Sequence, residues 1–588
     1  MTRKTLRPLL ARKNGLRSPP ASAMVAALTA LTLAGCSPFN EILRNRSVCD
    51  AVHSWRNFHS AASIADARAA AFWAGQHERA GSAECVDLYF LAAKLSCAEG
   101  GVISSGQSAP EVQTVYHESL AGLIRTAQQY GRYDPIQGIR LQKNGAATAV
   151  PISYHGFNWR PGDFNRLVIA DRFVRTRLKT QYYRDGIGVP LIAIREREAP
   201  ERFYTGRSHF AATANLKCHS DAAQNRPGWV LELANPYAIE CTDFGGQSLR
   251  LAADYSAASR YIIEREKRTY LRNFVWVDSR TAEPKLIFLE PYQPGKIPLV
   301  FVHGLLSDPM TWAELYESIK IDPELRDRYQ FWAFQYPTGA VFLRSAANLR
   351  RELDAAVACA DPEGCDPALS QMVLVGHSMG GLLSKLQVTS SGDQLWRSFA
   401  NRPLESLQAS PLVHDRLQEM FFFDPSPHIR RVVFIGTPHN GSSLATRSIG
   451  RLSSYIVRMP DADEREYSAF LAANPGVIHP FAARRIPTSV DMLEPNNPIL
   501  GAMAHLPAAP CVAAHSIVGT GGCTLRRERS DGVVPVDSAR TPGVESELFV
   551  DEDHEDLHRS PETAREVVRI LRRHLQVCSL TAIGQESR

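Results

Sequence analysis

"VLVGHSMGG", residues 373–381, runs from an apolar stretch into a serine flanked by glycines. The apolar run reads as a buried strand, and helical sequence follows the glycines. A serine in the pattern G-x-S-x-G, on a sharp strand-to-helix turn, stands where a nucleophile can be exposed. Side chains larger than glycine would collide around it. The helix start behind Ser378 also brings a positive dipole end near a developing oxyanion. The alternative is a small residue in a tight turn. Choosing between them requires a base, an acid and oxyanion donors, in an order that one fold can assemble.

Outward from that turn, residues from about 295 alternate buried-strand and helical patterns, which predicts a mostly parallel, doubly wound α/β sheet. The expected strands are "PLVFVH" (298–303), "YQFWAFQY" (329–336), "MVLVGH" (372–377), "RVVFIG" (431–436), "HSIVG" (515–519) and "ELFV" (547–550). Helices are expected at 343–359 and 560–575. The second has Ser560 as N-cap, Pro561 at the first helical position and acidic residues in its first turn.

"HGLL" (303–306) closes the first of these strands, and Gly304 allows close backbone approach. The amide of Leu305 and that of Met379, next after the serine, are the expected oxyanion donors. His303 reads as a packed residue that shapes the loop and transfers no proton. The acid is expected after the penultimate strand, in "ERSDGVVPVDSA" (528–539), as Asp531. Asp537 competes with it, and Asp424 precedes its strand. The base is expected after the last strand, in "ELFVDEDHEDLHRSPE" (547–562). His554 lies nearer the strand end and is preferred to His558, which reads as exposed or capping near the final helix. Asp551, Glu552, Asp553, Glu555 and Asp556 surround His554 and favour its protonated form unless solvent screens them.

Together, "PLVFVHG", "VGHSMGG", "FIGTPHNGS" (434–442) and "SDGVVP" make residues 295–578 resemble an α/β-hydrolase of the lipase/esterase kind. Within that superfamily they are similar to the bacterial branch related to the catalytic domain of GPI inositol-deacylases. The resemblance covers about half the chain. It implies Ser378 as nucleophile, Asp531 as acid, His554 as base and hydrolysis of acyl esters. His439, in "TPHNGS", reads as structural. Cap insertions near 388–430, with Trp396, Phe399 and "MFFF" (420–423), and near 445–510 would roof the site. Their apolar residues suit acyl chains or pack the insertions' own cores.

The rest of the chain is less informative. Residues 1–35 hold six basic side chains and no acidic one, followed by the apolar run "MVAALTALTLA" (24–34), as in a secretory signal. "LAGC" (33–36) resembles a bacterial lipobox, which implies a lipid on Cys36. Ser37 then weakly favours an outer-membrane anchor facing the periplasm. Without that segment 60 basic residues face 61 acidic ones, which gives no support to nucleic-acid binding. Residues 36–139 read as helical and 140–293 as a β-rich or mixed domain, ahead of the hydrolase domain at 294–588. Of eleven cysteines, ten remain after Cys36. Close pairs are Cys85/Cys97, Cys218/Cys241, Cys359/Cys365 and Cys511/Cys523, with Cys49 and Cys578 left for each other, which suits an oxidising compartment. No CxxC or HExxH spacing suggests a metal, and no cofactor is implied.

The expected function is a membrane-anchored serine hydrolase of carboxylic, acyl or lipid esters. The alternatives are an acyltransferase using the same residues, or a scaffolding lipoprotein with a hydrolase-like domain. A dehalogenase is excluded because the nucleophile position holds serine and not aspartate.

Overall fold

In the computed structural model, the residues described are 64–99, 109–143, 146–170, 178–197, 201–221, 226–244, 247–266, 283–442, 461–483, 486–523 and 528–586. The segment expected to be a signal, Cys36 and Cys49 lie outside them, as does part of the second expected cap insertion. Residues 64–132 and 139–150 form one compact unit, and residues 133–138 and 151–586 form the other.

In the first unit, α1 (Ile64–Arg79), α2 (Cys85–Glu99) and α3 (Ala109–Gln129) pack through Ala67, Ala70, Leu91, Leu95 and Val115. The alanines let the helix axes approach closely. The antiparallel hairpin of β1 (Gly138–Lys143) and β2 (Ala146–Val150) follows. Cys85 and Cys97 stand at opposite ends of α2. Twelve residues of helix separate them by about 18 Å of rise, so the expected pairing of these two is not possible. No disulfide joins any two of the nine described cysteines.

Among the described residues the second unit contains two large sheets, besides three two-stranded ones. The smaller takes the order β3-β7-β6-β5-β4, from β3 (Ile152–His155), β4 (Arg166–Ile169), β5 (Val189–Glu196), β6 (Arg207–Asp221) and β7 (Arg226–Ala234). It is antiparallel except at β3/β7. Its strands include the runs "VPLIAI" and "WVLELA".

The larger sheet has seven strands in the order β8-β10-β9-β11-β12-β13-β14. These are β8 (Lys285–Phe288), β9 (Ile297–Val302), β10 (Tyr329–Gln335), β11 (Met372–His377), β12 (Ile429–Ile435), β13 (Ala513–Gly519) and β14 (Ser546–Val550). All pairs are parallel except β8/β10. The six strands expected between 298 and 550 are therefore present, while β8 is an addition. The domain boundary expected at 293/294 falls inside this sheet, because Lys285–Phe288 pairs with Gln335–Trp332 along the sheet's edge.

Burial on both faces explains the near-continuous apolar runs. Val300, Val302, Trp332, Phe334, Leu374 and Phe434 face α5 (Phe342–Ala360) and α6 (Met379–Lys385). The alternate residues Leu299, Phe301, Phe331, Val373, Val375 and Ile435 belong to the opposite core. That core also holds Trp312, then Leu315 and Ile319 of α4 (Ala313–Lys320), and Ile570 and Leu571 of the final helix (Pro561–Glu586). In the first insertion, Trp396, Phe399 and Phe421 pack on one another, with ring centroids 4.8 Å apart for Phe399 and Phe421. Phe399 and Phe421 also line a cavity of about 810 Å³ with Leu417, Met420, Tyr467 and Phe470, contributed by both insertions.

The final helix starts where the sequence predicts. The Thr563 amide donates to Ser560 Oγ at 3.1 Å, satisfying one of the four orphan amides of the first turn. Replacing Ser560 with Ala should lower the urea midpoint by an amount worth about 1 kcal/mol, and Ser560→Asp should retain most of it.

Candidate active site

Ser378 sits between β11 and α6 with φ 54° and ψ −126°, a region that non-glycine residues rarely occupy. The surroundings hold it there. Its amide donates to the Ile435 carbonyl at 2.9 Å, and its carbonyl accepts from the Gly381 amide at 3.0 Å. A Cβ on Gly380 would lie 2.1 Å from the Val302 carbonyl oxygen, so α6 leaves the strand too close to β9 for any side chain there. A Cβ on Gly304 would meet Ser378 Cβ at 2.9 Å, which places the 303–306 turn directly against the serine.

The loop after β14 brings His554 to this turn. Its Nε2 is 3.0 Å from Ser378 Oγ, and its Nδ1 is 2.6 Å from Asp531 Oδ2. A carboxylate only accepts, so Nδ1 carries the proton and Nε2 is left to accept from the serine hydroxyl. Asp531 is 1% exposed. Its second oxygen, Oδ1, accepts from the amides of Val533 at 2.9 Å and Val534 at 2.6 Å. The backbone of "SDGVV" thus aims one carboxylate oxygen at the histidine by occupying the other. His554 N–H also donates to the Asp531 carbonyl at 2.9 Å, tying the two loops together.

The competing acids lie elsewhere. Asp537 is exposed, and Asp424 accepts from Ser390 Oγ at 3.0 Å. Among the described residues, neither the Leu305 nor the Met379 amide donates a hydrogen bond within the protein. Leu306 turns away with φ 55° and donates its amide to Thr338 Oγ1 at 3.3 Å.

His558 differs from its expected exposed position. It is buried, hydrogen-bonded through Nε2 to Thr311 Oγ1, and edge-on to Trp312. The Leu557–Arg559 turn carries it inward under the final helix. Its ring centroid lies 4.2 Å from that of His377, which in turn is 4.8 Å from His554. His377 Nε2–H donates to the His554 carbonyl at 3.0 Å and so supports the loop from beneath. Desolvation, followed by its two histidine neighbours, holds the His377 imidazole neutral, well below its usual pKa. Burial takes His558 down to about 3.

His303 is stacked on Tyr336 at 4.4 Å, donates Nδ1–H to the Gly304 carbonyl, and is lowered to about 4 by burial. Tyr336 O–H donates to the His303 carbonyl at 2.6 Å. His439 lies edge-on to Phe434 and is held well below its usual pKa by burial and then by Lys385.

Two supporting groups escaped the sequence reading. His377 was visible only as the residue before the serine. Lys179, from the mixed region, has its ammonium 2.8 Å from Asp556 and 3.9 Å from Glu552. It therefore faces two of the carboxylates around His554, and nothing near it in sequence announces that contact.

Residues 299–570 match the model of the alpha/beta hydrolase family. No curated protein matches the sequence. Among solved structures, the chain is similar to the mature lipase BlEst2 of Bacillus licheniformis, at 16% identity over 49% of this chain and 98% of that one, with a TM-score of 0.30. Esterase B of Lactobacillus rhamnosis, inhibited by a tributyrin phosphonate, is 11% identical over 55% and 96%, with a TM-score of 0.30. EstA of Clostridium botulinum is 15% identical over 45% and 84%, with a TM-score of 0.29. By strand order and family match, the C-terminal half is an α/β-hydrolase domain.

The buried histidines make acid stability testable. His303, His515 and His574 are each lowered by burial to about 4, and His558 to about 3. Their unfolded values lie near about 6.5, so between these limits the unfolded chain binds more protons. Stability should therefore be full above pH 6.5 and fall as the pH drops toward 4. Urea midpoints measured across that window should show it. His574→Gln should flatten the slope by up to about 1.4 kcal/mol per pH unit.

Proposed function

We propose that the protein hydrolyses carboxylic esters through an acyl-enzyme on Ser378. The observation that carries this reading is the continuous hydrogen-bonded chain from Ser378 Oγ through His554 to a buried Asp531. As Ser378 Oγ attacks the ester carbonyl, His554 Nε2 takes its proton and then returns it to the leaving alcohol. Asp531 keeps Nδ1 protonated and stabilises the imidazolium. The amides of Leu305 and Met379, with no hydrogen-bond acceptor among the described residues, hold the developing oxyanion. Water activated by His554 then releases the acid and restores the serine.

Acyl or lipid esters are the proposed substrates. The cavity of about 810 Å³ mixes Phe399, Leu417, Phe421 and Phe470 with charged residues such as Arg344, Arg351 and Glu466, and its apolar part supports an acyl chain as the group bound. The motifs "FIGTPHNGS" and "SDGVVP" support placement near the inositol-deacylase branch. The proposed location is a bacterial outer membrane, on its periplasmic side, through a lipid on Cys36. Its support is the order of basic segment, apolar run and "LAGC".

A fluorophosphonate probe should label the wild type and not Ser378→Ala. Short-chain p-nitrophenyl esters should turn over with the same dependence. Asp531→Asn should keep the fold and lose about 10⁴-fold in kcat, because the histidine then adopts the wrong tautomer. Folded wild type that neither labels nor turns over ester would favour the scaffolding reading instead.

A further inference from the structure

Beside the hydrolase core lies a second cavity, of about 840 Å³, in the range of small-molecule sites. Its main wall is one face of the final helix. Arg565, Arg569, Arg572 and Arg573 follow a spacing of four, three and one, which sets them along a single stripe. Arg559, just before that helix, adds a fifth guanidinium to the lining. Across from them stands α4, and Thr180 and Tyr182 of the mixed region contribute a third side.

The charge of this lining is one-sided. Its only carboxylate is Glu314, which is 4% exposed and already accepts from Arg559 Nη2 at 2.6 Å. The other acidic partners are not part of the lining. Arg569 pairs with Glu566, Arg572 with Asp322 and Glu324, and Arg573 with Glu545. These three arginine side chains are about half exposed, at 50–52%. Their partners Glu566 and Asp322 are mostly buried, at 11% and 15% exposed, while each guanidinium has five N–H groups to distribute. The Arg565 side chain forms no ion pair or hydrogen bond among the described residues. Glu566 stands between Arg565 and Arg569 on the same helix and pairs with Arg569, so Arg565 is the lining guanidinium without a carboxylate partner among the described residues.

We propose that this cleft binds a ligand carrying at least two phosphate groups, held by Arg565, Arg569, Arg572 and Arg573 with Arg559. Phosphate matches the guanidinium fork and accepts bidentate, charge-assisted bonds of the kind Arg569 already makes to Glu566, with both contacts at 2.7 Å. From Arg565 to Arg573 the helix rises about 12 Å, which is too long for one phosphate and suits two or more. The site also touches the catalytic half. His558, Arg559 and Ser560 line it, and they continue the segment that carries His554. The proposal does not depend on the esterase reading, because binding is measured without turnover.

The test uses full-length protein at low salt with two probes. Inorganic tripolyphosphate is titrated calorimetrically, and sedimentation with phosphatidylcholine vesicles is compared with and without cardiolipin. Any anchor of the protein itself contributes equally to both vesicle arms. Tripolyphosphate binding alone identifies a soluble phosphate compound, and a gain on adding cardiolipin identifies a lipid headgroup. In either case Arg565→Ala/Arg569→Ala should weaken the binding at least tenfold, and Arg565→Lys/Arg569→Lys should restore only part of it. The urea midpoint of each variant checks that it is folded. No binding of either probe by wild type, or undiminished binding by a folded double-alanine variant, overturns the proposal.

Discussion

The approach of α6 to β9 sets the terms for the rest of the site. With Gly380 pressed on the Val302 carbonyl, the chain cannot leave β11 by a relaxed turn, and Ser378 takes the positive φ that results. That strain is stored locally and is offset by the buried sheet around it. It lifts the serine side chain out of the strand's pleat and toward the C-terminal edge of the sheet. There the β9 turn and the loops after β13 and β14 converge. Parallel strands make such convergence general, since their C-terminal ends all open on the same side.

Much of this was legible in the sequence, for a physical reason. Strands buried on both faces must be apolar along their whole length, so "PLVFVH", "MVLVGH" and "RVVFIG" announce themselves without a partner. Ser378 directly follows such a strand, while Asp531 and His554 lie in the loops after β13 and β14, in the chain order expected. What remained hidden depends on contacts between distant segments. His558 lies in a run of charges that reads as surface, yet Trp312 and His377 give its ring an aromatic bed. Lys179 reaches Asp556 from an irregular stretch of the mixed region, far away in sequence. The pairing of Cys85 with Cys97 seemed natural by proximity along the chain and is forbidden by the rigidity of one helix.

The mixed region does more than precede the hydrolase core. It meets α4 through specific polar contacts in a largely buried seam. Ser256 O–H donates to Glu317 Oε2 at 2.6 Å, Tyr182 bonds Ser318, and the Lys320 ammonium lies 4.4 Å from the centroid of Tyr237. Burial raises the Glu317 carboxyl to about 7, against the lowering effect of Ser256 and Ser259. Such groups are costly to strand without their partners. The seam therefore joins the five-stranded sheet to the hydrolase core as one folded body, and Lys179 extends that continuity to the loop of His554.

Strand β8 carries a consequence of its own. It is short and antiparallel, and it covers the flank of β10, whose sequence "YQFWAFQ" is almost wholly apolar. A chain begun at residue 294, where the motifs first gather, would keep every group near Ser378 and lose that cover. The bared amides and carbonyls of β10 would then form an open sheet edge beside Phe331, Trp332 and Phe334. An edge of that kind recruits strands from neighbouring molecules. Lys285–Phe288 thus serves as the cap that keeps the sheet from growing sideways into its own copies.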